Sequence, residues 1–208
     1  MEKNMWSSLR QASSLAEFTQ SIESHPNATS WVKADFIPLV FEACKLGKLY
    51  FLVWLVKKKN IPIQTVWGGE NQHPTTLLHL ATANRDMAMV AWLTDHTKHK
   101  RSEDVKELFC IEVNGETALQ LALRLEDGQE VSLKLLDADF GVSWVANDNL
   151  LAVLTRALTI ADEQIVNRIN SILRREQILY LRFGFCGDLQ KMKDMVSEYS
   201  WWAQVDGN

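Results

Sequence analysis

The 208-residue chain has little of what usually declares a function. Its three cysteines, Cys44, Cys110 and Cys186, lie far apart with no C-x-x-C pair. That argues against a disulfide framework or a cysteine-rich zinc site and fits a reducing compartment. Four prolines and nine glycines leave most of the chain free to be helical, and no segment alternates polar and apolar residues long enough for a large sheet. The longest apolar run, LYFLVWLV at 49–56, is far short of the roughly 20 residues of a membrane-spanning helix. The opening MEKNMWSSLRQ has no apolar stretch of the secretory-signal kind. The sequon Asn27-Ala28-Thr29 would need a secretory context and is read as silent. A net charge of -4 and a pI near 5.8 give no general attraction to nucleic acid or anionic membrane. Walker, G-x-G-x-x-G, G-x-S-x-G and H-E-x-x-H motifs are all missing, so neither cofactor nor resident metal is expected.

What is present is amphipathic helix, repeated. In DEQIVNRINSILRR the residues Ile165, Val166, Ile169, Ile172 and Leu173 fall on one helical face. TTLLHLATANRDMAMVAWL (75–93) and ETALQLALRLEDGQEVSLKLL (116–136) both open on Thr, reach Leu-Ala and close on a second apolar stripe, with Thr76 and Thr117 41 positions apart. The same shape occurs in PLVFEACKLGKLYFLVWLV (38–56) and ILYLRFGFCGDLQKMKDMV (178–196), where Gly47 and Gly187 hold the same place. A weaker copy spans 149–173. Ahead of them, SSLAEFTQSIES carries a capping-box pattern, Ser14 with Glu17, and an apolar stripe of Leu15, Phe18 and Ile22, which reads as a capping helix within 1–35.

The run Thr76-Leu77-Leu78-His79-Leu80-Ala81 resembles the helix-opening T-P-L-H-x-A of the ankyrin repeat. Thr76 suits a helix N-cap, and Leu78 and Ala81 fall on one buried face. Leu77 stands where the family has Pro, Arg85 and Glu126 where it has Gly, and the spacing exceeds the family's usual length of about 33. The resemblance covers residues 36–208. It implies an all-α ankyrin-repeat solenoid of helix-turn-helix units joined by short hairpin-like junctions, with units near 38–66, 75–112, 116–146, 149–176 and 178–208. It also implies that His79 bonds to the Thr and to backbone at the repeat junction. Such units bury their faces only by stacking.

The chemistry-bearing residues have plain alternatives. His79 with Cys44 or Cys110 could form a nucleophile pair, but no third group announces itself, and the ankyrin register explains His79 and makes Cys44 a small buried position. In DHTKHKRSED (95–104), His96 and His99 could share a zinc face, or Lys98, Lys100 and Arg101 could meet phosphates or an acidic protein surface; the acidic residues that follow blunt that field. The 94–112 insert reads equally as a functional connection or a tolerated insertion, with Ser102 a candidate N-cap. Among eight tryptophans, Trp54 and Trp92 match in their second helices and are expected in the core. Trp67, Trp144, Trp201 and Trp202 fall in junctions, either as exposed hot spots or as plugs for irregular gaps.

The expectation is therefore a monomeric, cytoplasmic protein-interaction scaffold without catalysis. It would bind a protein or peptide, not nucleic acid, through the face formed by its first helices, its hairpin tips or the insert. Candidate contacts are Lys45, Asn84, Arg124 and Phe185 at first-helix ends, Arg85 beside them, the junction tryptophans and the insert cations. The rival reading makes this chain the targeting part of a larger enzyme or of a secreted bacterial effector acting in host cytoplasm. EVNGE (112–116) aligns with the final QVDGN (204–208), so a further repeat is expected after Asn208.

Overall fold

The structure, a computed structural model, describes residues 2–25, 31–68, 74–97, 108–138, 153, 157, 160, 162–169, 171 and 172. The chain divides into two compact units, Met1–Ser171 and Ile172–Asn208, and everything below concerns the first. It is mostly helical with little strand.

Helices α1 (Glu2–Gln11) and α2 (Leu15–Glu23) come first, then α3 (Lys33–Lys45) and α4 (Leu49–Lys59). A two-stranded antiparallel hairpin follows, β1 (Val66–Trp67) and β2 (Thr75–Thr76), with Val66 opposite Thr76 and Trp67 opposite Thr75. Next are α5 (Leu77–Ala83), α6 (Met87–Thr97), α7 (Ala118–Arg124) and α8 (Gln129–Ala138). Where one capping helix was expected near the N-terminus there are two, and they behave as a pair. Helix α1 packs on α3 while α2 packs on α4, α3 packs on α5, α5 on α7, and α6 on α8. First helices thus meet first helices from α1 to α7, and second helices meet at α2/α4 and α6/α8.

Local sequence explains where these elements start and stop. Ser14 caps α2 by accepting from the Glu17 backbone N–H at 3.2 Å. Glu17 in turn accepts from Ser13 N–H at 2.9 Å, and that bond is the main reason its carboxyl lies below the usual range. Helix α3 begins five residues before Pro38: Asp35 Oδ2 accepts from Val32 N–H at 2.8 Å, closing the first turn. Its C-terminus is capped by Gly47 at φ +65, a left-handed conformation that costs glycine nothing.

The ends of α3 and α5 and both bounds of α4 and α6 are offset by 38 (83 − 45), which makes Arg85 the counterpart of Gly47 and His79 that of Phe41. Arg85 indeed takes φ +55, which for a residue with a Cβ costs roughly 1–2 kcal/mol. Glu126, aligned with the same place in the next unit, does not follow. There the connector is four residues instead of three, and Leu125 turns extended at ψ 141. Gly128 then approaches so closely that a Cβ would run into the Ala122 carbonyl.

The core runs along both helix layers: Phe36, Val40 and Phe41 in α3, Leu52 and Leu55 in α4, Leu78 and Ala81 in α5, and Ala122 and Leu135 beyond. Phe18 joins α2 to this core by stacking on Phe51, with ring centroids 4.7 Å apart and planes at 2°. Trp54 and Trp92, expected in the core, are only half-buried. Trp54 meets the Phe18 ring edge-on at 6.0 Å. Downstream, Leu108 and Phe109 are buried in a helical turn at 108–110, and Ile165 and Ile169 in one at 163–169. Lys98, Lys100, Arg101, Ser102, Trp144, Phe185, Gly187, Trp201, Trp202 and the closing Asp206-Gly207 lie outside the described residues.

Candidate binding surface

Thr76 ends β2 and caps α5, its hydroxyl accepting from the His79 backbone N–H at 3.2 Å. The same hydroxyl lies 2.7 Å from His79 Nδ1, and His79 Nε2 lies 3.0 Å from the Glu116 carbonyl. A carbonyl only accepts, so Nε2 carries the proton, Nδ1 accepts, and the Thr76 O–H donates to it. One neutral imidazole thereby ties the start of α5 to the turn before α7. Burial holds its pKa below the ordinary histidine value, the bond to Glu116 opposing that shift. Ala81 is fully buried beside it.

The Glu116 carbonyl is well placed because its turn is tight. Asn114 and Gly115 take φ +55 and +77, and Val113 and Glu116 bridge antiparallel. Asn-Gly at the two central positions is the combination that favours such a two-residue hairpin. Thr117 then caps α7, accepting from Gln120 N–H at 3.3 Å while Gln120 Oε1 accepts from Thr117 N–H at 2.7 Å. Gln120 holds the place in α7 that His79 holds in α5.

Cys44 is sealed. Its thiol donates to the Leu77 carbonyl at 3.5 Å, and burial pushes its pKa up to about 12, with Asp86 adding to the rise. A thiol so far from ionising is no nucleophile. Cys110 is half-buried, and neither cysteine is in a disulfide. Among the described residues no three His, Cys, Asp or Glu side chains are grouped to hold a metal ion, and no helix is long and apolar enough to cross a membrane.

The expected contact residues divide between exposed charge and structural duty. Lys45 and Arg124 end α3 and α7, both exposed. Lys45 Nζ lies 5.9 Å from the Trp67 ring centre, and Arg124 pairs with the Glu116 carboxylate at 2.9 Å. Asn84 is exposed, but its amide donates to the Lys45 carbonyl at 3.2 Å, closing the end of α3 from the neighbouring pair. Arg85 pairs with Asp127 at 3.2 Å. Trp67 does not project from its hairpin; it lies half-buried on Phe41, ring centroids 5.3 Å apart.

Sequence reasoning passed over Lys48. Its ammonium donates to the carbonyls of Leu9, Arg10 and Ala12 at 2.6, 3.1 and 3.0 Å, closing the end of α1 as Asn84 closes α3. Its one signal was a basic residue directly after Gly47, in the connector. The exposed apolar residues Leu46, Tyr50 and Val66 were also missed, because nothing in their spacing separates them from core. Comparison with protein-family models, with curated proteins and with solved structures finds no match for this chain.

Proposed function

We propose that this chain is an ankyrin-type repeat scaffold that binds a protein or peptide partner and carries out no covalent chemistry of its own. The observation that carries the reading is the commitment of His79. The residue best suited to catalysis has both ring nitrogens engaged in linking one helix pair to the next, with Thr76 and Glu116 as partners. That is the task the ankyrin resemblance assigns to it. With His79 and Cys44 enclosed, what the described residues offer outward is a series of polar first-helix ends, Lys45, Asn84 and Arg124, with Arg85 beside them. Exposed cations flanked by aromatic surface are the usual material of recognition. An intracellular setting suits the widely spaced cysteines.

The test is affinity capture with the full chain, followed by titration of the captured protein against a Lys45→Glu/Arg124→Glu variant. Loss of at least about tenfold in affinity, with melting lowered by no more than a few degrees as the exposed Lys45–Trp67 and Arg124–Glu116 contacts go, supports the reading. Undiminished binding, or turnover of a substrate dependent on His79 or Cys44, overturns it.

A further inference from the structure

The connectors Leu46–Lys48 and Asn84–Asp86 lie side by side. Asn84 bonds to the Lys45 carbonyl, and Asp86 Oδ2 is 3.5 Å from where a Cβ on Gly47 would sit. Two large apolar side chains stand in solvent at the first connector, Leu46 at 43% and Tyr50, in the first turn of α4, at 77% exposure. At the second stands Arg85. It is the one described residue other than Asn or Gly with positive φ, at a place where Gly47 sits without strain. Its ion pair with Asp127 joins side chains 45% and 82% exposed, a kind of pair that adds little to stability. The fold therefore gains little by having arginine where glycine would sit without strain, and strain held for so small a structural return points to a task outside the fold. The neighbouring carboxylates are engaged: Asp86 Oδ1 accepts from Met89 N–H at 3.0 Å, and Glu42 pairs with Arg10 at 2.8 Å.

We propose that this connector edge docks an extended peptide segment carrying an apolar side chain next to one carboxylate. The proposal rests on the partner-binding reading above and adds the chemistry of the partner. The apolar side chain covers Leu46 and Tyr50. The carboxylate displaces Asp127 from the Arg85 guanidinium, whose planar fork can offer it two parallel N–H···O bonds. Glu126 and Asp127, both exposed on the next connector, repel further negative charge. A single acidic residue is therefore selected over an acidic tract.

A random peptide library panned against the full chain supplies the probe. Selected peptides are then titrated by fluorescence anisotropy into wild type, Arg85→Gly and Tyr50→Ala. Enriched peptides should carry an apolar residue close to one acidic residue. Arg85→Gly should weaken them by about tenfold while raising Tm by roughly 2–4 °C as the backbone strain is relieved. Better folding with worse binding is an outcome that a purely structural arginine does not give. Peptides without acidic enrichment, peptides that bind both variants as tightly as wild type, or an Arg85→Gly chain that melts no higher would each overturn the docking edge and leave the scaffold reading standing. If the chain enriches no peptide and captures no protein, the scaffold reading falls and takes this proposal with it.

Discussion

Phe41 and His79 occupy the same place in successive helix pairs, and each meets the hairpin that follows its pair. They do so by opposite means. Phe41 packs against Trp67, with Lys45 above the same indole, whereas His79 donates one directed hydrogen bond to the Glu116 carbonyl. The surroundings explain the difference. His79 has Thr76 three residues earlier to fix its ring, while the matching position before Phe41 is Pro38, which offers no hydroxyl. The hairpins differ accordingly. Between β1 and β2 lie seven residues, 68–74, whereas two, Asn114 and Gly115, suffice at the second junction. Apolar packing has no strong directional demand and tolerates a longer separation in sequence; a hydrogen bond at 3.0 Å needs its acceptor held by a tight turn.

This comparison can be broken most forcefully at Phe41. Removing a fully buried aromatic ring leaves a cavity, so Phe41→Ala should cost roughly 3–5 kcal/mol in urea unfolding. A cost near that of a surface change would mean that the aromatic junction is incidental. His79→Ala should cost less, about 1–3 kcal/mol, because it removes the acceptor of the Thr76 O–H and one of the two donors to the Glu116 carbonyl, which keeps only its bond from Val113 N–H. His79→Gln, the residue that α7 carries at this position, should recover part of that loss.

The polar junction alone should respond to pH. His79 has a folded pKa below its unfolded value of about 6.5, so as pH falls the unfolded chain takes up its proton first. The contribution is complete above that value and is lost as pH drops from there toward the folded pKa, at up to about 1.4 kcal/mol per pH unit. His79→Gln should flatten that part of the stability profile, and an equally steep acid limb in the variant would place the titrating group elsewhere. The smallest effect belongs to Lys45→Met, about 0.5–1 kcal/mol for an exposed cation over an indole, measurable as a small shift in the denaturation midpoint.

The polar junction was the more legible in sequence. Thr76 with His79, Asn114-Gly115 before Thr117, and Ser14 before Glu17 are short-range signals whose geometry is set within a few residues. The aromatic junction was not, because Phe41 and Trp67 are ordinary apolar residues until the chain folds back. The same holds for Asn84 and Lys48, which close helices about one unit earlier in the chain. Their acceptors are backbone carbonyls, and backbone carbonyls leave no mark in a sequence. Glu126 misled for a related reason: one extra residue in its connector abolishes the left-handed position, and alignment by residue type does not register that. Tyr50 and Leu46 could not be told from core, since the period of a helix predicts a buried face and not which neighbour comes to cover it.

On the proposed reading His79 and Cys44 serve the joining of the units, while the exposed first-helix ends do the binding. The most direct test is one paired titration of a captured partner against His79→Gln and against Lys45→Glu/Arg124→Glu, with the melting temperature of each variant recorded alongside. The first variant should lose stability and keep its affinity; the second should lose affinity, with melting lowered by no more than the few degrees that the exposed Lys45–Trp67 and Arg124–Glu116 contacts supply. Affinity that falls with His79 while surviving charge reversal at Lys45 and Arg124 would contradict it.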